Sequence, residues 1–279
     1  SLAHAGVSAA RNFGMSKAGG DYIMFADADD YVREDYVERM VRAMESDESC
    51  DICICSYYRV IYDRLFPIGR LQTCGLIDRK RYILNTLKDP GHHYFGVLWN
   101  KIFRRRLITE NNISFRDDIT LGEDFVFSLN YLRYTRKVRV IDDRLYFYCY
   151  QRNDTLSRIY EKSLRDCEME MCNRNEIFDS YVSLMKSTGL YRANERRIFH
   201  YWIVFYIRQL HAMRHEYHWT DEEKRCWSNE MNSNSYIKNA IAMHGEFSVS
   251  VEKMLFYLTE TGKSSIKNLV RIVFNTISL

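Results

Sequence analysis

Three carboxylates stand within four residues, directly after an apolar run. Tyr22 to Ala26 is apolar and rich in β-forming residues, and Asp27, Asp29 and Asp30 follow it. Such a run predicts a buried strand, and open α/β sheets bind ligands at the carboxyl ends of their strands. Because like charges repel, the cluster predicts a site for Mg²⁺ or Mn²⁺, which share their coordination with substrate phosphates. A solvated acidic turn that caps a helix is the alternative.

A second acidic pair opens a predicted helix. Gly122 precedes Glu123 and Asp124, and apolar residues at helical spacing continue to Tyr134. The helix dipole alone favours carboxylates in a first turn, so a simple cap would explain this pair. A carboxylate held at the rim of a pocket is also what a general base requires.

A third segment combines small residues with one arginine. Val7 to Ala18 has helical spacing, and Gly19 and Gly20 end the predicted helix. Small residues allow close packing, and Arg11 could bind a phosphate or a base edge through two parallel hydrogen bonds.

The elements that would position these residues alternate between helix and strand, which predicts an α/β sheet. Asp35 and Glu38 match a capping box at the start of a helix. Further strands are predicted over 51–61, 137–141 and 145–150. After about residue 158 the strand signals end. The sequence therefore predicts an α/β domain over 1–157 and an all-helical extension over 158–279.

Composition excludes several classes of protein. The 279 residues carry a net charge of +3, which is too small to indicate nucleic-acid binding. Eight scattered cysteines do not form a disulfide framework, and Cys50 and Cys53 lack a second pair at zinc spacing. No apolar run approaches the ~20 residues of a membrane span. We therefore expect a cytoplasmic protein.

The three chemical segments, taken together, resemble a known family. GVSAARN-x-G, GDYI-x-F-x-DADD-Y and GEDF-x-F occur in this order. The combination resembles family 2 glycosyltransferases with the GT-A fold, of the bacterial polysaccharide or capsule type, over residues 1 to about 155. The resemblance implies an inverting enzyme that moves a sugar from a nucleotide-diphosphate sugar to an acceptor hydroxyl of a saccharide or lipid-linked saccharide.

The resemblance also assigns roles to residues. It implies that Asp27, Asp29 and Asp30 form a DxD-type site for the metal and the donor. It further implies that Asp124 is the base with Glu123 beside it. Arg11, Trp99 and Lys101 match donor-binding positions, and a segment including Gln151, Arg152, Asn153 and Ser157 matches one that closes the pocket.

The family's first strand and helix, which hold the nucleotide base, would precede Ser1, so the resemblance implies an incomplete, N-terminally truncated GT-A domain. Two alternatives to a transferase stay open: a non-catalytic fragment or interaction module, and another metal-dependent phosphoester enzyme. In the extension, Ile266 to Ile277 places Lys267 and Arg271 beside an apolar stripe. This pattern suits a peripheral contact with the inner face of the cell membrane, or a helix packed on its own domain.

Overall fold

The computed structural model describes residues 6–69, 74–87, 93–119, 122–149, 163–215 and 217–245. The described residues fall into two compact units. One comprises 6–149 with 170–193, and the other comprises 163–169 with 194–245. Part of the helical region thus groups with the sheet, and a functional division at residue 157 stays a prediction.

Within the described residues, seven strands form one mixed sheet. They are β1 (Tyr22–Met24), β2 (Tyr31–Val32), β3 (Cys50–Ile61), β4 (Arg64–Ile68), β5 (Gly75–Asp78), β6 (Lys101–Arg104) and β7 (Lys137–Cys149). The main order is β1-β6-β3-β7-β2, while β4 pairs with β3 and β5 with β7. Strands β3 and β7 are parallel, and both β1 and β3 are antiparallel to β6. The carboxyl ends of β1, β3 and β7 therefore share one edge of the sheet.

Six helices accompany the sheet within residues 6–149. They are α1 (Gly6–Lys17), α2 (Tyr36–Glu45), α3 (Arg79–Thr86), α4 (His93–Gly96), α5 (Arg105–Glu110) and α6 (Glu123–Leu132). Helix α1 agrees with the predicted helix to within one residue at each end. The side chain of Asp78 caps α3 by accepting a hydrogen bond from the Arg81 N–H at 2.9 Å.

The predicted strands over 137–141 and 145–150 form one strand in the structure, at least as far as Cys149. Ile141 pairs with Cys55, whereas Arg144 pairs with the next residue, Ser56. Asp142 and Asp143 therefore bulge out of the ladder instead of forming a turn. A bulge lets a strand absorb extra residues and continue, which a polarity pattern alone does not distinguish from a break.

The predicted capping box at Asp35 and Glu38 is wrong. Asp35 is the N-cap residue of α2 but makes no capping hydrogen bond through its side chain. Its carboxylate instead binds the Arg33 guanidinium, while Glu38 pairs with Arg42 one turn along α2. A charge-assisted bond to a neighbouring arginine has displaced the cap.

The helical region contains α7 (Leu164–Ser187), α8 (Tyr191–His215), α9 (Asp221–Ser233) and α10 (Ser235–His244). The apolar stretch 201–207 lies inside α8, where Trp202 and Ile203 are fully buried. The stretch is therefore part of a buried helix. Among the described helices, none is both long and apolar enough to cross a bilayer.

An ion pair between buried Asp51 and exposed Arg136 joins the amino-terminal ends of β3 and β7. Asp51 is fully buried, and its two carboxylate oxygens accept hydrogen bonds from the Arg136 guanidinium at 2.8 and 3.0 Å. The backbone N–H of Arg136 donates to the same carboxylate at 2.7 Å. The pair fixes the α6–β7 connection to β3.

We predict that Asp51→Ala lowers the free energy of unfolding by about 1–3 kcal/mol, because several charge-assisted hydrogen bonds to a fully buried carboxylate are lost. Urea denaturation measures this change. Glu38→Ala is the control, because it breaks a largely exposed acid–arginine pair and should cost under about 1 kcal/mol. Equal losses of free energy of unfolding in the two variants would show that the Asp51 pair contributes no more to stability than an exposed ion pair.

Candidate active site

The acidic loop follows β1 at the edge where the parallel strands end. Asp29 is exposed, while Asp27 and Asp30 are half-buried. Phe25, just before the loop, packs edge-on against Phe103, Phe115 and Phe127 with ring centroids 5.5–6.0 Å apart. The apolar run therefore fixes the base of the loop, and the carboxylates emerge from it toward solvent.

Two groups at the end of β7 hold Asp30. The Tyr146 hydroxyl donates to Asp30 Oδ2 at 2.7 Å, and the Cys149 N–H donates to Asp30 Oδ1 at 2.7 Å. The same hydroxyl accepts a hydrogen bond from the Asp27 N–H at 3.1 Å. The loop is thus bound to β7 through both a side chain and its own backbone.

Two carboxylates of the loop, those of Asp27 and Asp30, have a raised pKa. Burial raises the pKa of Asp30 to about 6, although the bonds from Cys149 and Tyr146 oppose the rise. Burial also raises the pKa of Asp27, while Arg11 lowers it and Asp29 adds to the rise. Repulsion from Asp29 adds to the rise in both pKa values, and a bound cation would relieve this repulsion.

Gly122 sets the second acidic pair at the start of α6. Its φ of +91° is in the left-handed region, and a Cβ here would lie 2.4 Å from Ile177 Cδ1. The backbone conformation favours glycine, and a larger residue would also have to displace the end of the Ile177 side chain. The helix then begins at Glu123, so Glu123 and Asp124 occupy its first turn as the sequence predicted.

Arg11 brings the two acidic segments together. Its Nη1 binds the carboxylate of Asp124 and donates to Glu123 Oε1 at 2.9 Å. Its Nη2 lies 3.6 Å from Asp27 Oδ1. One guanidinium thus touches three carboxylates that come from the β1–β2 loop and from α6. The predicted residues Arg11, Asp27, Glu123 and Asp124 form a single cluster.

Asn12 fixes the helix that carries Arg11. Its side-chain amide donates to the Phe115 carbonyl, and its side-chain oxygen accepts from the Phe115 N–H, both at 2.8 Å. The Phe115 ring stacks on Phe127 of α6 at 4.3 Å and lies 5.5 Å from the Arg11 guanidinium. Helix α1 is therefore clamped to the aromatic layer beneath the cluster.

The carboxyl group of Asp124 has a raised pKa. Burial raises its pKa to about 7; Arg11 opposes this rise and the neighbouring Glu123 adds to it. A base works best when its pKa lies near the pH of the reaction. The cluster can therefore accept a proton at neutral pH.

Trp99 and Lys101 are buried. Trp99 is 2% exposed and stacks on Tyr146 at 4.4 Å and on Tyr148 at 5.5 Å. Lys101 Nζ donates to the Tyr94 carbonyl, the Val97 carbonyl and the side-chain oxygen of Asn100. In this structure neither side chain offers a surface to a ligand, so direct donor contact by these two residues stays a prediction.

Several predicted features lie outside the described residues. They are the pocket-closing segment with Gln151, Arg152, Asn153 and Ser157, and the amphipathic stretch from Ile266 to Leu279.

The structure adds residues that the sequence reasoning missed. Tyr146 and Asn12 hold the site without belonging to an acidic motif. Asn12 follows Arg11 directly, and its place next to a candidate site residue was the one available signal. Tyr146 gave no such signal, because it lies 116 positions from Asp30 in a strand that reads as ordinary aromatic core.

The comparisons with known proteins agree with the motifs. A sequence model described as glycosyl transferase family 2 matches residues 3–111. This range includes Arg11 and the acidic loop but ends before Glu123 and Asp124. The predicted resemblance to this family is confirmed.

Two relatives from Bacillus subtilis (strain 168) show how far the likeness extends. The uncharacterized glycosyltransferase EpsJ is 31% identical over 147 residues, which cover 52% of this chain and 42% of EpsJ. The putative glycosyltransferase EpsH is 30% identical over 185 residues, which cover 62% of this chain and 50% of EpsH. The chain thus spans about half the length of these curated relatives.

A solved structure shares the fold. The crystal structure of Staphylococcus aureus TarS 1–349 in complex with UDP aligns with a TM-score of 0.58 and 15% identity. The alignment covers 89% of this chain and 69% of that one. It confirms the predicted GT-A-like mixed sheet followed by helices.

The raised pKa of Asp124 predicts a pH-dependent cost to stability. The folded protein holds this proton more tightly than the unfolded chain, in which aspartate titrates near pH 3.9. The free energy of unfolding therefore falls as the pH rises from about 4 to about 7, and the loss persists above that. We predict that Asp124→Asn is more stable than the wild type at pH 8, by about 1–3 kcal/mol, and that this gain vanishes near pH 4.

Urea denaturation at several pH values measures this effect. Asp118→Asn is a control of opposite sign, because hydrogen bonds from Arg116 lower the pKa of Asp118. The stability that Asp118 contributes is present above about pH 4 and is lost below it. An Asp124→Asn variant that is less stable than the wild type at pH 8 would contradict the assigned environment.

Proposed function

We propose that this protein, which resembles family 2 glycosyltransferases, transfers a sugar from a nucleotide-diphosphate sugar to an acceptor hydroxyl. The observation that carries the proposal is the contact of Arg11 with Asp27, Glu123 and Asp124. It joins the proposed donor side and the proposed base in one cluster. A transferase needs both within reach of one anomeric carbon, because bond formation and bond breaking occur at the same atom.

Asp124 is the proposed base. As the acceptor oxygen forms its bond to the anomeric carbon, its proton passes to the Asp124 carboxylate. The bond from that carbon to the diphosphate oxygen breaks on the opposite face, so the configuration is inverted. The helix N-terminus stabilises the charged carboxylate, and partial burial raises its proton affinity. A single base suffices, unlike the paired carboxylates of glycosidases.

Arg11 and Glu123 support this base. The guanidinium orients the Asp124 carboxylate and offsets part of the negative charge around it. Glu123 shares the same nitrogen of Arg11, so we assign it a positioning role beside the base. Arg11 is also a cation within the cluster that could bind a donor phosphate through its guanidinium, which suits its predicted donor-binding role.

The acidic loop is the proposed donor and metal side. Among the described residues, no group of three or more His, Cys, Asp or Glu side chains is arranged to hold a metal ion. Burial is the main cause of the raised pKa of Asp27, but Asp29 adds to it, and this closeness of two carboxylates fits a hard cation that takes one or two of them and completes its shell with phosphate oxygens. Bound Mg²⁺ or Mn²⁺ would stabilise the negative charge on the leaving diphosphate. Asp27 and Asp29 are its first proposed ligands, with Asp30 behind them.

The acceptor is proposed to be a saccharide or lipid-linked saccharide in cell-surface polysaccharide synthesis. Staphylococcus aureus TarS, whose fold this chain shares, is named a poly(ribitol-phosphate) β-N-acetylglucosaminyltransferase. That name supports a cell-surface polymer as the class of acceptor. Reaction on the cytoplasmic side, with peripheral contact to the membrane, completes the proposal.

Calorimetry tests the donor side. We predict that UDP and Mn²⁺ bind together at least ~10-fold more tightly than UDP alone, because the diphosphate completes the cation's shell. Asp29→Asn should remove most of this gain, and Asp118→Asn, on an exposed carboxylate away from the loop, should not. Equal UDP affinity with and without Mn²⁺ would contradict the proposal that a metal ion takes part in donor binding.

Release of UDP from UDP-sugars in the presence of saccharide acceptors tests the base. We predict that Asp124→Asn lowers kcat by about 10²–10⁴, the usual range for loss of a general base, with little change in UDP affinity. Glu123→Gln is the matched control and should cost less.

If Asp124→Asn keeps near-normal turnover and Glu123→Gln loses it, then Glu123 is the base and Asp124 has the positioning role. If both variants keep the turnover of an active wild type, the catalytic carboxylate lies elsewhere.

A further inference from the structure

We propose that Tyr146 is a positioning residue that holds the Asp27–Asp30 loop in its donor-binding shape. This inference rests on the proposed function of that loop. None of the sequence motifs contains Tyr146, and its side chain touches the loop only in the folded chain.

The Tyr146 hydroxyl uses both of its hydrogen-bonding capacities on the loop. It accepts from the Asp27 N–H at 3.1 Å and donates to Asp30 Oδ2 at 2.7 Å. One atom therefore spans the first and last aspartates of the cluster. A phenylalanine here would keep the ring and lose both contacts.

The ring that carries this hydroxyl is itself held rigidly. Tyr146 is fully buried and stacks on Trp99 with centroids 4.4 Å apart and planes 14° from parallel. Tyr36 packs against its edge at 6.1 Å and donates its own hydroxyl to the Trp99 carbonyl at 2.6 Å. Packing in the core therefore determines the position of the Tyr146 hydroxyl, and through this hydroxyl it determines the conformation of the acidic loop.

This arrangement divides the work among the three aspartates. Both oxygens of Asp30 accept hydrogen bonds from β7, one from Tyr146 and one from the Cys149 N–H. Asp30 is the anchor of the loop, whereas Asp29 is exposed and Asp27 faces Arg11. The anchor leaves the other two carboxylates directed at the space where a donor would bind.

The inference also gives buried Trp99 a role. Trp99 packs against the ring of Tyr146, so it influences the conformation of the donor loop indirectly, through Tyr146. Substitution of Trp99 would disturb donor binding without any contact between the indole and the donor.

The test compares Tyr146→Phe with Tyr57→Phe. Tyr57 is also fully buried, lies opposite Tyr146 in the β3–β7 register and packs edge-on against the same Trp99 at 4.6 Å. No described hydrogen bond joins its hydroxyl to the acidic loop. Each variant loses one buried hydroxyl from the same aromatic group, so a general effect on the core appears in both.

We expect Tyr146→Phe to weaken binding of UDP with Mn²⁺ by about 10-fold or more, because two hydrogen bonds that order the loop are lost, one of them to a carboxylate. KM for the donor should rise in step while kcat changes less. Tyr57→Phe should bind as the wild type does. Unchanged binding in Tyr146→Phe, or equal weakening in both variants, would overturn the inference.

A measurement that needs no nucleotide separates this inference from the proposed function. Hydrogen exchange of the amides in 25–31 should accelerate about 10-fold or more in Tyr146→Phe and not in Tyr57→Phe, whether or not a nucleotide binds. If the wild type binds no nucleotide, the proposed function fails, and equal exchange in the two variants would overturn the positioning role as well.

Asp30→Asn completes a double-mutant cycle with Tyr146→Phe, read out by exchange in the same segment. If Tyr146 acts through Asp30, the effect of the double variant is smaller than the product of the two single effects. Independent, multiplying effects would overturn this route.

Discussion

One guanidinium surrounded by three carboxylates is the constraint on which the candidate site depends. Arg11 contacts Asp27, Glu123 and Asp124, so the charges in this cluster do not balance. The imbalance has two consequences. Through Glu123 and Asp27 it adds to the rise that burial causes in the pKa of Asp124, and it leaves the loop side of the cluster attractive to a cation. A second fixed arginine would neutralise the site and weaken both properties.

The fold brings these groups together from distant parts of the chain. Arg11 and Asp124 are 113 positions apart, and contacts with Phe115 and the aromatic layer set the position of α1. The parallel direction of β1 and β7 places the acidic loop beside Tyr146 and Cys149. The core therefore does more than stabilise the protein, since its aromatic rings and its strand register decide where the carboxylates stand.

Sequence patterns predicted the groups that do chemistry better than the groups that hold them. Acidic clusters after a strand and a glycine before a helix are local features, and the structure places Asp27 and Asp124 where such features predict. The role of Tyr146 depends on strand order and register, which no local pattern encodes. Asp35 shows the opposite case, in which the local motif is present but the structure differs. Its carboxylate binds the Arg33 guanidinium and does not cap α2. The buried setting of Trp99 likewise follows from packing against β7 and not from its neighbours in sequence.

A crystal structure of the protein with UDP and Mn²⁺ tests the central claim most directly. The claim is that the acidic loop and the start of α6 form one site joined by Arg11. The account predicts that oxygens of the diphosphate and the carboxylate of Asp29 or Asp27 coordinate the same cation. It also predicts that the Asp124 carboxylate faces the side of the β-phosphate on which the sugar of the donor would lie. A nucleotide bound away from the acidic loop, or a cation held without any of its carboxylates, would contradict the account.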